Sequence, residues 1–282
     1  YESEINIFKA LRILKQQKNV NDLLYDCNNL LGILYNEREE YRKALEFHQN
    51  ALRILADKSI PADFQLKATS LNNIGFVNLR MRNYSKAKVY FIKGLEEKNL
   101  FRENTILYTI ILDNLAYSKF KLQESEGLPG QFFKALKIRD SIGLKSGVVL
   151  SKIHLSEYYA FNKDTFRAIQ YSKQALVLSR SLKKIRDILE ALKQIEVVDP
   201  KNASVYTKEY IRLNDRMLKA ERKMGEKFSR IEYETNEIKD QNSNLQEKIK
   251  TLVYVFSICT LIGLVFYVYK TQKAKNRELL FK

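Results

Sequence analysis

The pentapeptide "ALRIL" occurs twice, at Ala10–Leu14 and at Ala51–Leu55, inside the apolar runs "FKALRILKQQ" and "QNALRILADK". Related strings follow: "IKGLEEK" from Ile92, "FKALKIRD" from Phe133 and "KQALVLSR" from Lys173. Aligned on their small residue, they form the column Ala10, Ala51, Gly94, Ala135, Ala175, with steps of 41, 43, 41 and 40 residues. Self-similarity at a period near forty predicts a chain built from stacked copies of one supersecondary unit.

A second column lies nineteen residues before the first: Gly32, Gly75, Ala116, Ser156. Each follows an apolar residue: Leu31, Ile74, Leu115, Leu155. In the first two units a Tyr follows nine residues later (Tyr41, Tyr84) and an Ala three further on (Ala44, Ala87). The third unit keeps both small positions and Phe132 but has Leu128 for the middle Ala; the fourth keeps Tyr159, Ala168 and Ala175. Antiparallel helices approach closely only where small side chains meet. One small residue per helix at fixed spacing therefore predicts a stack of helical hairpins, with Tyr and Phe filling the gaps. A single hairpin cannot bury its apolar face alone, so several must stack.

Composition agrees with a helical chain. Of 282 residues, 9 are Gly and 3 are Pro, too few for an all-β protein of many tight turns. The formal charge of +16 raises nucleic acid or an anionic membrane surface as partners. The Lys and Arg are scattered through every segment, which favours general solvation over direct nucleic-acid contact. Cys27 and Cys259, and His48 and His154, lie too far apart in sequence for a metal-ligand spacing. No phosphate loop, nucleophile elbow or paired acid stands in supporting context, so neither cofactor, metal nor catalytic residue is expected. His48 falls at an aromatic packing position, and His154 lies beside the small residue of its helix.

These strings resemble the tetratricopeptide repeat (TPR): Leu31, Gly32 and Tyr35, then Ala44 and Ala51, over roughly residues 3–212. The expected fold is all-α: a TPR helical-hairpin solenoid, then a long coiled-coil helix and one transmembrane helix. Residues 1–18 are read as the second half of a truncated repeat, with further sequence upstream. Residues 19–182 form three to four hairpins, and 183–213 a degenerate last repeat whose second helix starts near Asp199-Pro200. The resemblance implies a peptide or protein ligand on the face made by the first helix of each hairpin. That face is expected to hold Asn29, Asn72, Phe76, Arg80, Asp113, Tyr117 and Lys121, with Asn73 and Asn114 beside it. Asn73 and Asn114 can bind an extended backbone, and Arg80 and Lys121 a carboxylate; alternatively the Asn residues bridge adjacent helices.

After Leu213 the pattern changes. Met217, Met224, Ile231, Ile238, Leu245 and Leu252 recur every seven residues, with the polar-rich column Asn214, Glu221, Phe228, Thr235, Asn242, Ile249 beside them. Residues 214–250 thus read as a weak coiled coil and a homodimer seam, or as one helix folding back on the last hairpin. Next comes "TLVYVFSICTLIGLVFYVY", Thr251–Tyr269, nineteen residues without a charge. At about 1.5 Å per residue it matches the hydrocarbon core of a bilayer. Residues 270–282 carry five Lys/Arg and one acid, whereas Ile231–Lys250 carry three Lys and five acids. That asymmetry puts the C-terminus in the cytoplasm and the array outside it. The chain then reads as a single-pass inner-membrane protein, its array periplasmic in a diderm bacterium.

The strings "YIRLNDRMLKAERKMGEKFSRIEYETNEI" and "QKAKNRELLFK" resemble the TPR-containing transmembrane sensors of Bacteroidetes. The resemblance implies the input half of a two-component signal-transduction receptor whose output domain lies beyond Lys282. That domain is a histidine kinase core or, alternatively, a LuxR-type helix-turn-helix. A membrane-tethered TPR scaffold or adaptor is the competing reading.

Overall fold

The computed structural model describes residues 2–14, 16–17, 20–56 and 64–280. Within these it describes every side chain except those of residues 2, 64, 224–240, 265–268 and 274–280. The chain divides into two units, Tyr1–Arg222 and Lys223–Lys282.

Unit one is built from helices alone among the described residues. A first helix, α1 (Glu2–Leu14), packs on the hairpin of α2 (Asn21–Glu37) and α3 (Tyr41–Ile54). The next hairpin is α4 (Phe64–Arg80) and α5 (Tyr84–Leu95), followed by a single turn, α6 (Leu100–Glu103). Then come α7 (Thr105–Lys121) with α8 (Gly130–Ser141), and α9 (Lys145–Phe161) with α10 (Thr165–Leu182). The last pair is α11 (Ile185–Val198) and, after a short 3₁₀ turn at Pro200–Asn202, the start of α12 (Ala203–Leu280). Each helix touches mainly the helices next to it in sequence, as in a solenoid.

The small-residue columns mark where the helices meet. Ala51, Ala116, Ala135, Ser156 and Ala175 are fully buried. Sixteen residues after each small residue of a first helix stands its counterpart on the second: His48, Phe91, Phe132, Ser172. A methyl group on Gly32 would lie 2.5 Å from the His48 ring, and one on Gly75 would lie 2.6 Å from Phe91. The ring thus lies flat on the partner backbone. Gly75→Leu is expected to force these helices apart and cost about 1–3 kcal/mol, read from the shift in urea midpoint.

Four core clusters follow one another along the stack. Leu31, Tyr35, Ala44 and Val77 form the first, and Ala68, Phe91, Leu107 and Ile111 belong to the second. Ala116, Phe132, Leu155 and Ala168 belong to the third; Val149, Ala175, Leu192 and Leu213 belong to the last. The central helix α7 is apolar on nearly every side because helices pack around it: Ile111, Leu112, Leu115 and Phe120 are all buried. Asn104 caps α7 by accepting from the Leu107 amide, and Asp164 caps α10 by accepting from Arg167. The turn inside each hairpin repeats as well. Glu39, Arg82, Gln123 and Lys163 all take the left-handed conformation, with φ of 59 to 62°.

Within unit one α12 continues past Leu213, and Met217 packs partly buried on the last core cluster. Further along, Glu221 of α12 lies 3.9 Å from Arg186 of α11.

Unit two is the remainder of α12. Its apolar side chains project outward: Leu252 is 68% exposed and Phe256 72%. The segment Gln241–Lys273 is long and apolar enough to cross a membrane, and none of its described side chains is buried. Within it Ser257 Oγ donates to the Val253 carbonyl at 2.8 Å and Thr260 Oγ1 to the Phe256 carbonyl at 3.1 Å. Back-bonding of this kind lets Ser and Thr sit in an apolar helix without a stranded donor.

Candidate binding face

The first helix of each hairpin contributes one row to a common inner face. Asn73 donates to Asn29 at 2.9 Å, joining α4 to α2. Asn114 donates to Asn72 at 3.4 Å, joining α7 to α4, and Asn72 donates to Asn73 at 3.3 Å. A chain of side-chain amides therefore crosses three successive helices.

The next row is aromatic and charged. Tyr117 donates to Glu157 of α9 at 3.0 Å, and Lys121 pairs with the same carboxylate at 2.8 Å. Burial, with the charge and acceptor of Glu157, pushes the Tyr117 phenol above its ordinary range. The phenol therefore stays a neutral donor. Arg80 is exposed and lies 3.3 Å from Glu39.

Beneath the face lies a buried polar cluster. Asp113 of α7 receives Ser151 Oγ at 3.1 Å and His154 Nδ1 at 2.7 Å, both from α9. It also pairs at 3.1 Å with Arg139 of α8, which is 1% exposed. Arg139 donates to the Gly147 carbonyl at 3.1 Å and to Ser151 at 2.7 Å. Burial acts to raise the Asp113 pKa, but the cationic side chains of His154 and Arg139 and the hydrogen bonds outweigh it and hold the carboxyl below its ordinary value. The cluster ties three helices from two hairpins. Gly147 makes room for it, since a Cβ there would lie 2.9 Å from the Arg139 side chain.

Between α4, α7, α9 and α11 the inner face sinks into a hollow of about 490 Å³. Phe76, Ile110, Leu150 and Ile153 give it apolar walls, and Asn72 and Asn114 reach it from the amide chain. At its edge stands Arg186, which pairs with Glu37 at 2.7 Å and lies 3.9 Å from Glu221. Glu37 and Arg186 are 149 residues apart, so the array curls until its first and last hairpins meet.

Of the nine residues expected on or beside the peptide-binding face, Asn29 lies on α2 and the other eight on α4 and α7. Phe76 and Asn114 line the hollow, Asn73 belongs to the amide chain, and Tyr117 and Lys121 share Glu157. Arg80 sits toward the end of α4. Of the expected seam, Met217 packs on the last hairpin and Leu245 is exposed. The side chains of Met224, Ile231 and Ile238 lie outside the described residues. Among the described residues no three of His, Cys, Asp or Glu gather as a metal site. Sequence reasoning did not pick out Glu157, Arg139 or Arg186, whose partners sit on other helices. The visible signal was one alignment column, Ile33, Phe76, Tyr117, Glu157, running along the first helices.

The hairpin stack with one curved inner face defines a TPR-like helical-repeat protein. No family model matches the chain, and no curated protein matches it in sequence. Among solved structures it is similar to BtubC (BKLC) from P. vanneervenii, with a TM-score of 0.57, 18% identity, and 77% of this chain and 89% of that one covered. It is also similar to aspartyl phosphate phosphatase F from Bacillus subtilis, with a TM-score of 0.58, 17% identity, and coverage of 73% and 55%. A third similar structure is a Rap protein complexed with Competence and Sporulation Factor, with a TM-score of 0.57, 14% identity, and coverage of 70% and 54%. The chain spans little more than half the length of the last two.

Proposed function

We propose that this chain is the sensory, protein-binding region of a membrane-anchored bacterial signal-transduction receptor. The observation that carries the reading is α12, which packs on the last hairpin at Leu213 and Met217 and includes an exposed apolar run long enough to span a bilayer. An apolar run of that length left in water would be strongly unfavourable, at roughly 25 cal/mol per Å² of apolar surface. A bilayer removes that cost.

The array would bind a peptide or protein on its inner face, through Asn73, Phe76, Arg80, Asn114, Tyr117 and Lys121. The amide chain offers donors and acceptors to an extended backbone, and the hollow offers a seat for a side chain. A Rap protein of similar fold has been solved with Competence and Sporulation Factor bound, which supports a partner-binding role. Pairing or rotation along Met217, Met224, Ile231, Ile238 and Leu245 would carry the signal inward to an output domain, a histidine kinase or a LuxR-type helix-turn-helix. Small helix shifts at a two-state interface suffice for such switching.

Topology tests the reading. Single cysteines are placed at exposed sites of the array and in residues 271–282, with Cys27 and Cys259 replaced by Ser, and intact cells are treated with an impermeant thiol reagent. Labelling of the array and protection of the tail is the expected result. The reverse pattern would make the chain a cytosolic scaffold on a membrane anchor.

A further inference from the structure

We propose that the inner hollow takes a bulky apolar side chain flanked by a cationic nitrogen, so that the ligand is a hydrophobic, basic peptide segment rather than an acidic one. This rests on the reading of the inner face as a peptide-binding surface and specifies its chemistry.

The apolar half of the argument is size and lining. About 490 Å³ walled by Phe76, Ile110, Leu150 and Ile153 is enough for Leu, Met or Phe, with backbone to spare for Asn72 and Asn114.

The charge half comes from asking which charges around the hollow are already spent. Arg139 is buried and neutralised by Asp113 at 3.1 Å. Arg186 is held by Glu37 at 2.7 Å, with Glu221 3.9 Å away on its other side. Each cation thus already faces a carboxylate, although Arg139 Nε is itself buried without a hydrogen-bond partner among the described residues. Asp187 is different. It lines the hollow from the first turn of α11, and its Oδ2 is buried without a hydrogen-bond partner among the described residues. Glu190, one turn further on and also lining the hollow, is 59% exposed at its side chain and, among the described residues, paired only with Lys193 at 3.1 Å. A buried carboxylate oxygen that has lost its water and gained no donor is costly, and an entering ammonium, guanidinium or amide N–H would relieve it. An acidic occupant would instead meet two carboxylates at close range. The edge of the hollow thus carries negative character in a chain whose net charge is +16.

The test uses the full chain in lipid nanodiscs and a random heptapeptide display library as probe. Peptides selected on it are then measured singly by fluorescence anisotropy against the wild type and against Asp187→Asn, Glu190→Gln and Phe76→Glu, each checked for folding by circular dichroism. The expected peptides place Leu, Met or Phe beside Lys or Arg. They bind Asp187→Asn about tenfold more weakly and lose binding to Phe76→Glu. If Asp187→Asn does not fold, weakening by Glu190→Gln with the same peptides decides. Peptides lost on Phe76→Glu but acidic, or indifferent to the carboxylate variants, would overturn this inference and leave the binding face standing. Peptides indifferent to Phe76→Glu, or no selected peptide at all, would overturn the binding face and this inference together.

Discussion

Asp113→Ala is expected to destabilise the array by about 3–5 kcal/mol, because it leaves a guanidinium buried without its counter-charge. Arg139 is 1% exposed and has no route to water, and its remaining contacts to Gly147 and Ser151 carry no charge. That loss is a large share of the roughly 5–15 kcal/mol that holds a domain together. The companion variant Arg139→Met should cost less, since His154 Nδ1 at 2.7 Å and Ser151 at 3.1 Å still hydrogen-bond Asp113. The double variant Asp113→Leu, Arg139→Met should recover most of the loss, because a well-packed apolar pair can replace a buried ion pair at little cost. Urea unfolding followed by circular dichroism measures all three. A loss below about 1 kcal/mol for Asp113→Ala, the figure for an exposed pair, would mean that the pair is wet.

Acid should weaken the protein in its first hairpin. His48 is 1% exposed, and its Nδ1 has no hydrogen-bond partner among the described residues. Burial pushes its imidazole down to about 4 from 6.5. The unfolded chain therefore takes up a proton near pH 6.5 while the folded chain stays neutral. The contribution is fully present above pH 6.5 and is lost as the pH falls from there toward 4. The full loss is about 3 kcal/mol, and about 2 kcal/mol of it is gone by pH 5. His48→Phe should abolish this part of the pH dependence. Its ring would rest on Gly32 as Phe91 rests on Gly75. At pH 7 the swap should change stability by less than about 1.5 kcal/mol. The check is the urea midpoint of wild type and variant at pH 7 and pH 5. An equal drop in both would remove His48 as the cause.

These two sites also show what the sequence could and could not reveal. The all-α repeat was legible because close helix packing demands small residues, and Gly32, Gly75, Ala116 and Ser156 recur where the backbones touch. The packing role of His48 was legible for the same reason, since it shares its column with Phe91 and Phe132. The hairpin turns were harder to see. Their left-handed residues are Glu39, Arg82, Gln123 and Lys163, none of them the Gly or Asn that usually marks such a position. The Asp113 cluster was illegible for another reason. Asp113, Arg139, Ser151 and His154 come from α7, α8 and α9, and nothing in one-dimensional spacing says that a residue of a second helix will meet them. Asp113 therefore read as a groove residue and proved to be the buried anchor beneath it. The Asn residues of the inner face hydrogen-bond amide to amide between neighbouring first helices, a contact across hairpins that spacing along one helix does not reveal.

The hollow has walls from α4, α7, α9 and α11, which are consecutive inner helices of the stack. Hairpins in such a stack touch mainly their neighbours, so the curvature of the array is the sum of small rotations at each joint. An occupant that touches four helices at once acts as a wedge on three joints together. Tilts it imposed would add along the stack toward the last hairpin, where α12 begins. In elastic terms an occupant there would load the array like a leaf spring, and a tilt it imposed on α11 would reach the foot of α12 through the core they share.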